Sequence, residues 1–499
     1  MIARLDRLLG RITMYLLVIG ILTVIALVAL VLAFADVLSV DPLALLASAA
    51  VLLAVTAGAN YLLAAIFRTH HHASSGIITA LLLLFVLAPT LDPVGLLGIG
   101  IAAAVAAASK YVIAWRGRHL ANPAAVGALV VGLTGLAFPS WWVGTGPLLP
   151  LVAIGALLIL WRTRHLGMGL LYVAVGAGVT MTQMLTGGAP FASALSVAFL
   201  STPLVFTAGF MLSEPLTLPP RAWQRLALAV VVALLATVPY SFGPIGTSPE
   251  LALVVGGILS FLVGQRRAVE LDLVSRRQLT PTAWEFRFRA LAPVRYQAGQ
   301  YLELTLPQPK PDLAGDRRVF SITSAPGAPE LTIGVRIRDG ASSFKRALLA
   351  LEPGARVRAT GVWGDFTLPR EPDAKLAFVA AGIGITPFVS QLAALGARAV
   401  DAELLYSVKS ASDLAYRDEL AATGARVSVL SPDDPGALPA NWQWLGSDAL
   451  SAEAVHRAIP DAAERHVYLS GSPTDVSALR RALRAAGTRR IRTDVFLGY

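Results

Sequence analysis

The residues best suited to chemistry in this chain lie in two short runs of its second half. The first is Arg318-Val319-Phe320-Ser321-Ile322-Thr323-Ser324. Strand alternation puts Arg318, Phe320 and Ile322 on one side and Val319 and Ser321 on the other. A guanidinium fork suits a pyrophosphate, an aromatic ring can lie along a flat heterocycle, and a serine hydroxyl can bond the edge of one. Downstream, Gly340-Ala341-Ser342-Ser343 opens the helical run FKRALLAL, whose first N–H groups can hold phosphate oxygens. The second run is Gly382-Ile383-Gly384-Ile385-Thr386-Pro387, set between the strand-like LAFVAA and the helix-like FVSQLAALG. Strand, glycine turn and helix in that order let a backbone approach dinucleotide phosphates. The two runs together suit a flat, pyrophosphate-bearing cofactor and a dinucleotide.

With Ala298-Gly-Gln-Tyr301 and Gly361-Val-Trp-Gly-Asp-Phe366, these runs resemble the ferredoxin–NADP reductase superfamily, whose flavin motif is Arg-x-Tyr/Phe-Ser-x-x-Ser/Thr. The resemblance implies that Arg318, Val319, Phe320, Ser321, Gly334, Val335, Gly340, Ser342, Ser343 and Phe366 hold FAD. It assigns Gly382, Gly384, Thr386, Pro387, Ser407, Lys409, Gly471 and Ser472 to the nicotinamide dinucleotide. The segment His466-Val-Tyr-Leu-Ser470-Gly471-Ser472-Pro473 is similar to the family's Cys-Gly-Pro segment, with Ser470 where many members carry cysteine. Ser321 and Ser470 are therefore expected beside the reacting rings. A terminal aromatic covers the flavin face in this superfamily. Phe496 is the first candidate and Tyr499 the second, the alternative being a last strand that packs Phe496 in its core. After AELLYSV the sequence Ser407-Val-Lys409-Ser410 offers no acid to a ribose hydroxyl. Ser407 and Lys409, with Arg417, suit a 2′-phosphate, so a mild preference for NADPH is expected.

Two kinds of scaffold must position these groups. From residue 266 short alternating runs (VELDLVS, AWEFRFRA, QYLELTLP, RVFSITS, ELTIGVRI, ARVRATG) separated by turns predict an antiparallel β-barrel over 266–371. From 372 to 499 strands alternate with helices (LAFVAA, AELLYSV, ARVSVLS, HVYLSG, RIRTDVF), which predicts a doubly wound parallel sheet.

Residues 1–265 read differently. The chain is 55% hydrophobic and 14% charged, well below the quarter charged of soluble proteins, and the apolar excess lies before Gln265. Apolar segments recur at Met14–Ala35, Pro42–Phe67, Gly76–Ala88, Gly95–Trp115, Ala124–Phe138, Leu148–Trp161, Leu166–Met184, Ser193–Leu212, Leu226–Tyr240 and Leu251–Val263. These predict a polytopic helical membrane domain of about ten helices. The first run is too long for a signal peptide and lacks a small-residue cleavage site, so a retained span is expected. Arginines mark alternate connections (Arg4/Arg7/Arg11, Arg68, Arg116/Arg118, Arg162/Arg164, Arg221/Arg225, Arg266/Arg267), and the intervening ones hold no Lys or Arg. That places both termini on the cytoplasmic side of an inner membrane. It also accounts for the net charge of +10 without nucleic acid, for which no basic run or stacking motif exists. With no cysteine, disulfides, thiolate metal sites and iron–sulfur clusters are excluded.

An internal repeat runs through this half. Gly144-Thr145-Gly-Pro-Leu-Leu-Pro-Leu-Val-Ala-Ile-Gly155 matches Gly246-Thr247-Ser-Pro-Glu-Leu-Ala-Leu-Val-Val-Gly-Gly257 at seven of twelve positions, and Asn122-Pro123 and Glu214-Pro215 lie upstream of each. The runs Lys110-Tyr111 through Trp115-Arg-Gly-Arg-His-Leu-Ala-Asn-Pro-Ala-Ala-Val-Gly127 and Phe210-Met-Leu-Ser-Glu-Pro-Leu-Thr217 resemble the B subunit of sodium-translocating NADH:quinone reductase and the D subunit of the Rnf complex. This resemblance implies two five-helix repeats and FMN or riboflavin near the outer surface. The Ser-Gly-Ala-Thr flavin loop of those subunits is missing, leaving Thr145 and Thr247 as the nearest candidates, with helix capping as their other reading. The expected function is NAD(P)H-driven electron transfer across a lipid bilayer to an extracytoplasmic acceptor: a flavoprotein, a quinone or a metal ion. A haem-containing ferric or oxygen reductase is one alternative, disfavoured because the seven histidines lie at helix ends or in the soluble part. A redox-driven ion transporter or quinone reductase is another. No protein-held metal site is expected.

Overall fold

The computed structural model describes residues 13–67, 73–115, 118–144, 146–264, 268–308, 312 and 316–496. The chain divides between Arg267 and Ala268 into two compact units.

In the first unit each of the ten apolar segments contains helix: α1 Met14–Phe34, α2 Pro42–Ile66, α3 Ala73–Val86, α4 Pro93–Val112, α5 Pro123–Thr134, α6 Leu149–Thr163, α7 Leu166–Thr186, α8 Phe191–Ser196, α9 Leu204–Phe206, α10 Ala222–Thr237 and α11 Pro249–Val263, with α8 and α9 sharing one segment. The starts are chemically marked. At Asp41-Pro42, Asp92-Pro93, Asn122-Pro123 and Ser248-Pro249 the side-chain oxygen accepts from N–H groups of the first turn while proline pre-sets its φ. Helices α1, α2, α4 and α7, at 20–25 residues, are long and apolar enough to cross a bilayer. Helices α8 and α9 each run into a π-turn (Val197–Ser201 and Thr207–Met211), and the two halves meet at 43°, the geometry of a broken span or a re-entrant loop. Pro203 sits at the break, where its missing N–H interrupts the ladder. The other five apolar helices have 12–16 residues, shorter than a straight crossing requires. A further apolar helical stretch, Gly382–Asp401, belongs to the core of the second unit and is no span.

Small residues let the helices of this unit approach closely. A Cβ on Gly127 would overlap the Ala102 carbonyl, so α5 lies directly on the backbone of α4. The outward faces carry exposed Val31, Phe34, Leu62 and Val112. Polar groups at depth are spent on backbone: Asn60 Nδ2 donates to Thr56 O, Thr182 Oγ1 to Gly178 O and Gln183 Nε2 to Thr237 O. Lys110 donates to the carbonyl and hydroxyl of Ser75 at the start of α3.

The second unit holds two six-stranded sheets. The first comprises β1 Val269–Thr280, β2 Ala283–Ala290, β3 Tyr301–Thr305, β4 Arg317–Ser321, β5 Leu331–Arg336 and β6 Arg356–Trp363, in the antiparallel order β4-β3-β6-β1-β2-β5. The chain just past edge strand β4 meets the other edge strand, β5, at the Ile322–Ile333 bridge, curling the sheet around a core of Leu271, Phe286, Phe288, Leu304 and Ile333. Helix α12 (Ser343–Leu349) plugs this core with Phe344 and Leu348. The second sheet is wholly parallel: β7 Leu376–Ala381, β8 Glu403–Ser407, β9 Arg426–Leu430, β10 Trp442–Trp444, β11 His466–Gly471 and β12 Ile491–Val495, in the order β10-β9-β8-β7-β11-β12. The order reverses beside β7, and helix α13 (Thr386–Leu395) follows directly after the β7 turn. Open parallel sheets bind ligands at such a switch point.

Candidate active site

Alternation on β4 is as the sequence predicts. Arg318, Phe320 and Ile322 are buried, and Val319 is 52% exposed. The buried side faces the interior of the curled sheet, so Phe320 packs on Phe344 at 5.9 Å between ring centroids. Phe320 is a core residue in this arrangement rather than a ring on an open face. Val335 is likewise interior, leaving its backbone for any ligand, and Phe366 packs between Phe388 and Tyr468. Ser321 is buried at the end of β4, opposite Tyr301 of β3.

Arg318 lies over the Phe344 ring, 5.3 Å from its centroid, and Nη2 donates to Asp312 Oδ1 at 2.9 Å. The other oxygen of Asp312 accepts from the Ser343 N–H at 3.2 Å, and the Asp312 N–H donates to Ser343 Oγ at 3.0 Å. Ser342 caps the same helix, its Oγ accepting from the Lys345 N–H, after Gly340 has turned the chain with φ of 74°.

Around Arg318 the fold gathers three cations that sequence reasoning missed: Arg336, Arg338 and Lys345. Burial, and then the fields of Arg318, Arg336 and Arg338, push the Lys345 ammonium down to about 8. Burial and Arg338 lower Arg336 too, against the opposing pull of Asp413. The guanidinium of Arg336 lies over Gly382, whose φ of 55° favours glycine. A cation cluster thus reaches from the flavin-type motif on β4 to the glycine turn after β7. Its one signal in sequence is the alternating Arg336-Ile-Arg338 just before Gly340. Four like charges this close suit a pyrophosphate.

At the parallel sheet, a Cβ on Gly384 would overlap the Ser470 carbonyl, so the glycine turn lies on the end of β11. The Ser470 hydroxyl is buried there and has no hydrogen-bond partner. An orphan hydroxyl beside a glycine cradle, at the carboxyl end of a parallel sheet, suits a nicotinamide amide. Thr386 Oγ1 donates to Ile383 O, locking the turn, and Pro387 sits in the first turn of α13.

No family model matches the chain. It is 29% identical over 232 residues, 44% of its length, to the stachydrine N-demethylase reductase subunit of Rhizobium meliloti, and covers 64% of that protein. It is 38% identical over 164 residues to ferredoxin–NADP reductase B of Sorangium cellulosum, covering 32% of this chain and 65% of that one. The chain thus spans less than two thirds of each of these relatives. A solved ferredoxin NADP+ reductase of Neisseria gonorrhoeae with bound FAD and NADP aligns over 46% of this chain and 99% of its own, at 21% identity and a TM-score of 0.39. The C-terminal half is related to these reductases.

In the second unit the remaining expected residues fall at the mouth of the parallel sheet. Gly471 packs against Ala381, and Ser472 caps helix α14 (Pro473–Ala485), its hydroxyl donating to Asp475. Phe496 follows β12, half-buried, with its N–H bonded to Gly471 O, and belongs to none of the core clusters. Tyr499 lies outside the described residues. Ser407 ends β8 and Lys409 is exposed beyond it. The tip is not free of acid: Asp433, arriving after β9, accepts from the Ser410 hydroxyl and the Ala411 N–H. Residues 407–410 alone could not reveal it.

In the first unit Thr145 lies outside the described residues. Thr247 caps no helix, since Ser248 does so. Its hydroxyl accepts from the Tyr240 N–H and donates to Val238 O, closing a hairpin. The two Gly-Thr-x-Pro copies are nonetheless linked. Trp141, just before the first copy, donates its indole N–H to Glu250, just after the second, at 2.9 Å. Asn122 ties the halves again by donating to Met211 O at the end of the second π-turn. Among the described residues no cluster of His, Asp and Glu is assembled for a metal.

Proposed function

We propose that this chain is an NAD(P)H-dependent membrane flavoprotein oxidoreductase that passes electrons from a cytoplasmic nicotinamide, through FAD and a flavin held in the membrane unit, to an acceptor on the outer side. The observation that carries the reading is the cation cluster joining Arg318 to the Gly382 turn. Arg318, Lys345 and Arg338 would seat the FAD pyrophosphate, with Ser342 and Ser343 at its edge. Arg336, Gly382 and Gly384 would take the phosphates of the nicotinamide dinucleotide. Ser321 and Ser470 would orient the two rings, and Phe496 would shield the stack from water. FAD supplies the conversion of a two-electron hydride into single electrons. Lys409 favours a 2′-phosphate and Asp433 opposes it, so NADPH is preferred over NADH by a small margin. Four long apolar helices, a broken span, the tie between the two Gly-Thr-x-Pro copies and the resemblance to flavin-carrying membrane subunits support the transmembrane half of the reading.

Two measurements test it. Arg318→Ala should purify with its membrane unit intact and its FAD lost, because a buried charge-assisted contact of about 1.5–3 kcal/mol disappears. In sealed right-side-out vesicles loaded with NADPH, an impermeant oxidant outside should be reduced. An outside oxidant that stays oxidised while NADPH is consumed rules out transfer across the membrane and leaves membrane quinone or a cytoplasmic acceptor as the sink.

A further inference from the structure

The Asp312 carboxylate is placed as a small anion would be. One oxygen receives the Arg318 guanidinium and the other the Ser343 N–H, while the Asp312 N–H returns a bond to Ser343 Oγ. Arg318 is 5% exposed and stacked on Phe344, so its guanidinium is fixed where it stands. Beyond it lie Lys345, Arg336 and Arg338, close enough to depress the Lys345 ammonium. A buried arginine amid like charges is costly without a counter-charge. Asp312 provides that charge from within the chain, on the guanidinium assigned above to the FAD pyrophosphate. One guanidinium face cannot hold a carboxylate and a pyrophosphate in the same place.

We infer that Asp312 is an internal stand-in for the cofactor's pyrophosphate: it neutralises Arg318 and pins the start of α12 while the flavin is absent, and it is displaced as FAD binds. This rests on the reading of Arg318 as the FAD ligand. Three consequences follow from the exchange of one anion for another. The flavin-free protein keeps its arginine paired. FAD affinity is the difference between two anions and so is weaker than the cation cluster alone would give. Loss of the carboxylate weakens only the flavin-free protein, since it stabilises that form alone.

The experiment uses the full chain in detergent, with wild type, Asp312→Asn and Arg318→Ala each prepared free of flavin. FAD is titrated by quenching of its fluorescence, and thermal unfolding is recorded with and without FAD. Asp312→Asn should bind FAD about tenfold more tightly, equivalent to about 1.4 kcal/mol. Its flavin-free form should unfold several degrees lower than wild type, with the FAD-loaded forms alike. Unchanged or weaker FAD binding in Asp312→Asn overturns the inference. So does tighter binding with no loss of flavin-free stability, which would reduce Asp312 to a repulsive charge nearby. If Arg318→Ala binds FAD as wild type does, the reading of the site has failed instead. A weakened Arg318→Ala beside an unaltered Asp312→Asn overturns only the stand-in.

Discussion

At the scale of single residues, the candidate site of the second unit gathers cations that face one another before they face a ligand. Lys345 shows this through its proton. Burial and the neighbouring guanidinium groups push its ammonium down from 10.5 to about 8. Between those values the unfolded chain binds more protons than the folded one, so stability gains from this group as pH rises from about 8 toward 10.5. A pyrophosphate on the cluster favours the charged ammonium. Binding FAD above pH 8 must therefore take up a proton, and the Kd for FAD should climb by up to about tenfold per pH unit there. Titrations from pH 7 to about 10 on wild type and Lys345→Met check this, the variant binding more weakly but with a flatter profile. A wild-type Kd that stays level across that range would take Lys345 out of the site.

At the scale of elements, the sequence is most readable where one period dominates. Alternation finds all six strands of the antiparallel sheet and five of the six in the parallel one, missing only Trp442-Gln443-Trp444, which is too short to show a period. Each of the ten apolar segments contains helix, but apolar length does not tell a crossing from a half-helix: α3 has 14 residues and α5 only 12. The site divides the same way. Arg318, Ser321, Gly382, Gly384 and Ser470 announce themselves by motif, whereas Asp312, Lys345, Arg338 and Asp433 join the site only through tertiary neighbours. Phe320 shows the limit of alternation, which groups it with Arg318 but cannot say that their shared face is the interior. In the membrane unit, the contact of α5 on α4 gives a direct test. Gly127→Val should drive the helices apart and lower the unfolding temperature in detergent, at a cost of about 1–3 kcal/mol or more. Gly58→Val on α2, where nothing lies within 4 Å of the new Cβ, should leave it unchanged. Equal behaviour of the two variants would show that the α4–α5 contact does not hold the unit together.

At the scale of the molecule, the proposed function requires two sheets of different construction to hold FAD and nicotinamide face to face, and close contacts between the sheets bear on their spacing. One is Gly334 on β5, where a Cβ would come within 2.5 Å of Tyr416 Oη and 2.6 Å of Thr386 Cγ2. Tyr416 is buried and held at φ of 61°, a conformation unfavourable to any residue but glycine, so it has little freedom to retreat. Gly334 therefore works as a gauge block: its missing methyl sets how near the parallel sheet may come to the antiparallel one. Hydrogen transfer depends steeply on that separation, because the light nucleus tunnels and a misplacement of about 1 Å can cost roughly a hundredfold in rate. Gly334→Ala should slow flavin reduction in stopped-flow traces while leaving FAD content intact. With nicotinamide deuterated at the transferred position, its kinetic isotope effect should become temperature-dependent, as the widened gap comes to be crossed only in moments of compression.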